Sequence, residues 1–320
     1  MKRVCLVRLS AMGDVVQSLG AAQALLAARP DLELHFVTQR PFAPLLQGMG
    51  FASVVAHDRG GGLSGLRRTR AALRALAPDC VVDLQGNWKS AAVCRLSGGP
   101  VRIGAIGDHR REPSSALLLN RRVAMDAPVH PAAIAHELLR QLEPDLPLAR
   151  ARLAVSEEEV GEATRSVESL DIDPSRPFTV MIMSDPRDIR AWPTQAMERH
   201  AASVSTPVLW LRGPGEVDVP VPSDAQAITH GPGELRRLVA LGALVRRAGG
   251  RVLGPDIGPV HVLNAAGAET VVFFGPQDPD RTAPPGATIV TRSDGPACVP
   301  CRRRRCTHSD GPVCMDFTGT

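Results

Sequence analysis

Apolar positions along this chain fall into short unbroken runs, separated by longer stretches in which apolar residues return every three or four places. The run Arg3-Val4-Cys5-Leu6-Val7-Arg8-Leu9 predicts a buried parallel strand, and the pattern after Gly13-Asp14 predicts a helix to about residue 28. The unit recurs, with strand patterns at 32–38 and 79–84 and helical patterns at 65–76 and 91–96. A second series begins with a strand at 178–183, continues at 208–212, includes a long helix from about Gly233 to Ala248, and ends with strands at 251–253 and 270–274. Such alternation predicts α/β units in which helices cover both faces of a parallel sheet. Between residues 146 and 177 the pattern breaks into Pro-containing segments and the acidic run Glu157-Glu158-Glu159, which reads as a linker between two domains, 1–155 and 156–320. Two doubly wound domains facing each other would leave a cleft at the carboxyl ends of their strands, where such sheets bind ligands.

Composition changes this picture little. A length of 320 residues suits two domains. A net charge of +4 weakly favours an anionic partner and is too modest to imply a nucleic acid. The N-terminal apolar stretch is broken by Arg8 and Asp14, which is unlike a signal peptide, and no run approaches the roughly 18 apolar residues of a membrane span. The expected location is therefore cytoplasmic. Cys5, Cys80 and Cys94 lie in apolar surroundings and read as buried thiols. Cys298, Cys301, Cys306 and Cys314 are spaced closely enough to permit a tetrahedral structural site for zinc or iron, with reduced free thiols as the alternative. The run Arg302 to Arg305 between them would neutralise such a centre or touch anionic lipid.

The most informative stretch is Gly254-Pro255-Asp256-Ile257-Gly258-Pro259-Val260-His261. It places a helix start just beyond a strand end, where free backbone N–H groups form an anion site. Asp256 there is expected either to accept hydrogen bonds from sugar hydroxyls or to cap the helix. The amides of Ile257 and Gly258 are expected to meet a diphosphate.

Together with Phe273-Phe274-Gly275-Pro276-Gln277-Asp278-Pro279 downstream, this run resembles the C-domain signature of the heptosyltransferases, glycosyltransferase family nine. The opening Ser10-Ala11-Met12-Gly13-Asp14-Val15-Val16 is similar to the N-terminal motif of the same family. Lesser matches lie at Asp83 to Gly86, Arg102 to Gly104, Arg190 to Pro193 and Gly213 to Glu216. The resemblance implies two Rossmann-like domains in the glycosyltransferase B architecture and inverting, metal-independent transfer of heptose from an ADP-heptose-like donor to a lipopolysaccharide inner-core acceptor. Asp14 would be the general base, since an acceptor hydroxyl attacks well only as a carboxylate takes its proton. Arg190 stands where the family has a lysine and would stabilise the departing diphosphate. Glu216 matches the ribose-binding acid, and His261 lies in the donor motif. Gly13, Arg102 and Arg110, with Arg111 and His136, are candidates for an anionic, lipid-linked glycan acceptor, which would bring the protein into transient contact with the inner membrane surface. No catalytic cofactor is implied.

The sequence also departs from the family. Ile257 replaces a Ser or Thr, Gly20 stands where proline is common, and Ser184-Asp185-Pro186-Arg187-Asp188 replaces a glycine-rich strand end with two acids. These departures leave open a different donor, a protein acceptor, or a nucleotide-sugar-binding protein that has lost turnover.

Overall fold

The structure is a computed structural model that describes every residue except 127, 214–215, 217, 220, 222–225, 231–233 and 318–320. It divides into two compact units, Met1–Arg152 and Leu153–Thr320, just short of the boundary expected at residue 155.

In the first unit the strands are β1 (Arg3–Val7), β2 (Glu33–Gln39), β3 (Ser53–His57), β4 (Cys80–Asp83), β5 (Val101–Ala105) and β6 (Arg121–Val123). They form one parallel sheet in the order β3-β2-β1-β4-β5-β6. The helices are α1 (Met12–Ala28), α2 (Gly62–Leu76), α3 (Trp88–Ser97) and α4 (Pro131–Leu139). β1 and β4 are central and almost wholly buried, which is why their sequences are unbroken apolar runs and do not alternate. On one face, Cys5, Val7, Val37, Val81, Val93 and Cys94 pack with Leu73 of α2. α1 is apolar on nearly all sides because it packs on α4 as well as on the sheet. At Gly20 the backbone of residues 149–151 comes so near that an added Cβ would lie 2.2 Å from the Ala149 carbonyl oxygen. Any larger residue there requires the two segments to separate.

The second unit repeats the plan. α5 (Glu157–Glu168) precedes β7 (Thr179–Ile182), α6 (Thr194–Ser203), β8 (Val208–Arg212), β9 (Gln226–Thr229), α7 (Leu235–Arg247), β10 (Arg251–Pro255), α8 (Gly258–Ala265), β11 (Glu269–Phe274), α9 (Pro279–Thr282) and β12 (Thr288–Thr291). The parallel strand order is β12-β11-β10-β7-β8-β9. Each unit is therefore doubly wound, with its order reversing between β1 and β4 in the first and between β7 and β10 in the second. Trp192, Phe273 and Phe317 form an aromatic cluster, the Trp192 and Phe273 rings being 4.1 Å apart, and the segment Cys314 to Phe317 packs into the same core. The Arg-Ala-Trp-Pro match thus contributes its tryptophan to packing.

The stretch read as a linker contains α5. Ser156 Oγ accepts from Glu159 N at 3.2 Å, while Glu159 Oε2 accepts from Ser156 N at 2.9 Å, a capping box that turns the acidic run into a first helical turn. Glu159 also forms a fork with Arg236 of α7, whose hydrogen bonds hold its carboxyl at about 2 against the opposing effect of burial. The expected helix start at Gly233 lies outside the described residues, and the helix is described from Leu235.

Candidate active site

In a parallel α/β sheet the loops after the strands gather at the carboxyl edge, and ligands bind where the strand order reverses. In the first unit that position belongs to the loop between β1 and α1. Asp14 is the third residue of α1. Its Oδ2 lies 2.7 Å from Arg8 Nη2 and accepts from Ala11 N at 3.3 Å. Oδ1 has no hydrogen bond among the described residues, and the side chain is 35% exposed. One oxygen is thus clamped while the other is left without a hydrogen bond among the described residues. Arg8 is itself buried, with a side chain only 7% exposed, and donates through Nη1 to the Leu84 carbonyl. Gln85 Oε1 accepts from the N–H groups of Leu9 and Ser10 at 2.6 and 3.2 Å, so the loop that delivers Asp14 is fastened to the turn after β4. Gly13 is buried in the first turn of α1, beneath this loop.

Three of the acceptor candidates are engaged within the unit itself. Arg110 and Asp83 form an ion pair at 2.6 Å with both side chains wholly enclosed, and Arg110 Nε also donates to Ser115 Oγ at 2.8 Å. Burial of this kind requires a counter-ion, and a guanidinium so enclosed cannot reach an acceptor. Arg102 donates to the carbonyls of Leu118 and Gly99, both at 2.9 Å, bracing the edge of the sheet. His136 likewise contacts the Leu146 carbonyl at 2.9 Å. Arg111, by contrast, is exposed at the carboxyl edge, as are Lys89 and Trp88.

In the second unit the reversal point joins the loop after β7 to the turn after β10. Asp256 is only 5% exposed, and both its oxygens are engaged: Oδ1 with His261 Nε2 at 3.0 Å, and Oδ2 accepting from Thr282 Oγ1 at 2.8 Å. Because an ionised carboxylate only accepts, His261 Nε2 carries the hydrogen. Asp256 therefore joins β10, α8 and α9 through these two bonds. The amide of Ile257 donates to the Pro255 carbonyl at 2.8 Å, so it too is unavailable to a diphosphate. Pro259 has no N–H and Val260 N donates to Ile257 O, which leaves the Gly258 amide for an anion at this helix start.

Arg190 is brought to this turn, but not as a free cation. Nη1 donates to the Asp256 carbonyl at 2.8 Å, while Nε and Nη2 form a fork with Asp188 at 2.9 and 2.6 Å. The Asp188 carboxylate further raises the Arg190 pKa. Burial works against ionisation of Asp188, yet the bonds and charge of Arg190 overcome it and hold that carboxyl below its usual range. Asp185 pairs with exposed Arg187, whose hydrogen bonds bring its carboxyl to about 2. Glu216 sits just beyond β8, with Oε2 lying over Gly213, whose added Cβ would meet it at 2.5 Å. Pro214 and Gly215 of that match lie outside the described residues. A separate cavity of about 500 Å³ between α5, α7 and the ends of β8 and β9 is lined by Glu159, Arg236, Ile228 and Thr229. Its described lining includes neither Arg190 nor the turn after β10.

Among the described residues the C-terminal cysteines are not arranged as the expected metal centre. Among the described residues no three His, Cys, Asp or Glu side chains converge as ligands. Cys306 Sγ is turned to the Gly311 carbonyl at 3.2 Å, Cys314 is buried in the aromatic core, and Cys298 is exposed. Burial first, then the neighbouring Cys301, Cys306 and Cys298, pushes the Cys314 thiol up to about 11. Burial alike drives Cys5 and Cys80 to about 12 and raises Cys94 well above its ordinary value. Because the thiolate is the reactive form, a maleimide at neutral pH is expected to label Cys298, Cys301 and Cys306 within minutes in the native protein. Cys5, Cys80, Cys94 and Cys314 should react only after denaturation. Mass spectrometry of tryptic fragments before and after guanidinium treatment checks the assignment, and prompt native labelling of Cys5 or Cys94 would contradict the core described above.

Two doubly wound units, each presenting charged side chains at its own reversal point, make an α/β protein of the two-domain, doubly wound class. The pattern that describes glycosyltransferase family 9 (heptosyltransferase) matches residues 66–207 and 233–310, well over half the chain, and the protein belongs to that family. It is accordingly a glycosyltransferase. Asp14 and Glu216 lie outside the matched spans. The chain is 27% identical to lipopolysaccharide heptosyltransferase 1 of Pseudomonas aeruginosa, over 96% of this chain and 88% of the relative. Its fold is similar to the glycosyl transferase family 9 structure from Veillonella parvula, with a TM-score of 0.78, 18% identity and coverage of 90% and 86%. E. coli heptosyltransferase WaaC with ADP-2-deoxy-2-fluoro heptose gives a TM-score of 0.69 at 22% identity, covering 90% of this chain and 92% of that one.

Arg8 and Gln85 were not among the expected site residues, and Asp188 was expected only as one of two acids near the donor site. Arg8 carried a signal, as a charge inside an otherwise apolar strand run that must find a counter-ion when buried. Gln85 was visible only as part of a motif match.

Proposed function

We propose that the protein transfers a heptose from ADP-heptose to a lipopolysaccharide inner-core acceptor by inverting, metal-independent displacement. The observation that carries this reading is the Asp14 carboxylate, clamped on Oδ2 by Arg8 and without a hydrogen bond on Oδ1 among the described residues, in a chain of the heptosyltransferase family whose relatives are named for that reaction. The acceptor hydroxyl attacks the anomeric carbon as Oδ1 takes its proton, and the bond to the diphosphate breaks with its electron pair leaving on ADP. A single displacement inverts the anomeric centre. Arg190 and the Gly258 amide meet the charge that grows on the leaving group, and Glu216, which follows β8, accepts from ribose hydroxyls. The first unit is assigned to the acceptor, because Trp88, Lys89 and Arg111 are exposed at its carboxyl edge and combine apolar and cationic character suited to an anionic lipid-linked glycan at the cytoplasmic face of the membrane. The exposed run Arg302 to Arg305 suits the same surface. Among the described residues no helix is long and apolar enough to cross a membrane.

A second reading, a nucleotide-sugar-binding protein with little turnover, is favoured by two observations: Asp188 already occupies Arg190, and the Ile257 amide is engaged within its own turn. Incubation with ADP-heptose and deep-truncated lipopolysaccharide, with and without EDTA, separates the readings. ADP release that depends on acceptor and survives EDTA is expected, with an inverted linkage by NMR. Tight ADP binding without donor consumption would favour the second reading, and turnover of another nucleotide sugar alone would replace the donor.

A further inference from the structure

The loop after β7 holds two acids and two arginines in paired forks, Asp185 with Arg187 and Asp188 with Arg190. The second fork stands out by its place. Its guanidinium is tied through Nη1 to the carbonyl of Asp256, beside the one amide of the α8 turn left for an anion. We propose that Asp188 is an internal anion that stands on Arg190 in place of a donor phosphate and so sets how strongly this chain holds nucleoside diphosphates. The proposal rests on the reading that the second unit binds an ADP-sugar.

A side-on carboxylate fork uses the same guanidinium edge, Nε and Nη2, that grips a phosphate bidentately. Both oxygens of Asp188 are on that edge, at 2.9 and 2.6 Å. The carboxylate does not depend on the arginine side chain for its position: Asp188 N donates to Asp185 O at 2.8 Å, and Asp188 Oδ1 also accepts from Arg190 N at 2.9 Å. Each partner is about a third exposed, 34% for Arg190 and 31% for Asp188, so an arriving anion reaches the pair without opening a core. A diphosphate at the Gly258 amide meets a cation whose charge is already cancelled and whose fork is filled. To grip it, Arg190 must trade one anion for another, with Asp188 then left close to the phosphates as a like charge. The net gain on binding is smaller than that of a free arginine, and ADP is released correspondingly more readily. The substituted residues of this loop thus place donor and product affinity under the control of one carboxylate.

Isothermal titration of ADP into the full-length protein tests this. Asp188→Asn keeps shape and an acceptor oxygen while removing the charge, and ADP is expected to bind tighter by on the order of tenfold at low salt, the size of a like-charge contact at a few ångströms in a part-exposed site. The gain should shrink as salt is raised, adenosine should show none, and the donor KM should fall while kcat does not rise. Arg190→Ala should weaken ADP binding, and adding Asp188→Asn to it should recover only the part owed to like-charge repulsion, since no fork is left to be freed. Melting curves confirm that each variant is folded, with Asp188→Ala as a second neutral variant. If Arg190→Ala weakens ADP but both neutral variants leave affinity unchanged or lower it, Asp188 merely steadies the arginine and the proposal falls while the donor reading stands. If Arg190→Ala has no effect on measurable ADP binding, Arg190 does not meet the phosphates and the proposal falls with that assignment. A folded wild type that binds no ADP overturns both.

Discussion

Replacing Asp14 by asparagine is expected to slow sugar transfer by about two to four orders of magnitude, the usual contribution of a positioned general base, and to lower the melting temperature in the same step. The first effect follows from the role proposed for Oδ1 as acceptor of the attacking hydroxyl's proton. The second follows from Arg8, whose buried guanidinium has Asp14 as its only ion-pair partner among the described residues. Asparagine leaves that cation with carbonyl-type acceptors alone. A broken buried pair costs about 3–5 kcal/mol when both partners are enclosed; with Asp14 a third exposed, about 1–2 kcal/mol is the expected loss once solvent screening is allowed for. ADP release measured well below the melting point separates the two effects. Full activity in a folded Asp14→Asn protein would remove this residue from the chemistry, whereas an unchanged melting temperature would show that Arg8 finds compensation elsewhere.

The largest loss of stability is expected at the enclosed pair in the first unit. Arg110→Met strands the Asp83 carboxylate in a site with no access to water, and about 3–5 kcal/mol should disappear from the urea unfolding free energy. Pairing it with Asp83→Asn should recover part of that, because the stranded charge is then gone. Activity should fall as well, by a route the geometry traces. Asp83 Oδ1 accepts from Gln85 N and Gly86 N, both at 3.1 Å, and Gln85 in turn holds Leu9 and Ser10 just ahead of Asp14. A stability loss below about 1 kcal/mol for the single variant would mean that the cavity admits water or ions.

What was legible beforehand depended on whether a property resides in the spacing of residues or in their pairing. Central strands announced themselves, since burial on both faces of β1, β4 and β7 forces an unbroken apolar run. Edge strands β6, β9 and β12, half exposed and only three or four residues long, left too short a pattern to read. α5 was hidden for a different cause: an acidic run before apolar positions resembles a solvated linker unless Ser156 and Glu159 are read together as a cap. At the site, the motifs located the two reversal points, yet the partner of each charged side chain was invisible. Arg110 looked like a surface cation because its counter-ion lies 27 positions away in sequence. Nor did spacing disclose that Thr282, 26 positions on, comes back to the Asp256 carboxylate. Spacing of four cysteines likewise says nothing of where each sulfur is turned.

The enclosed carboxylate after β10 carries a warning for anyone dissecting this enzyme. A truncation at Asp256 would unfasten three segments at once, slackening the very bend that presents the Gly258 amide and the carbonyl on which Arg190 rests. Such a protein would look blind to its substrate when it had lost only its rivet.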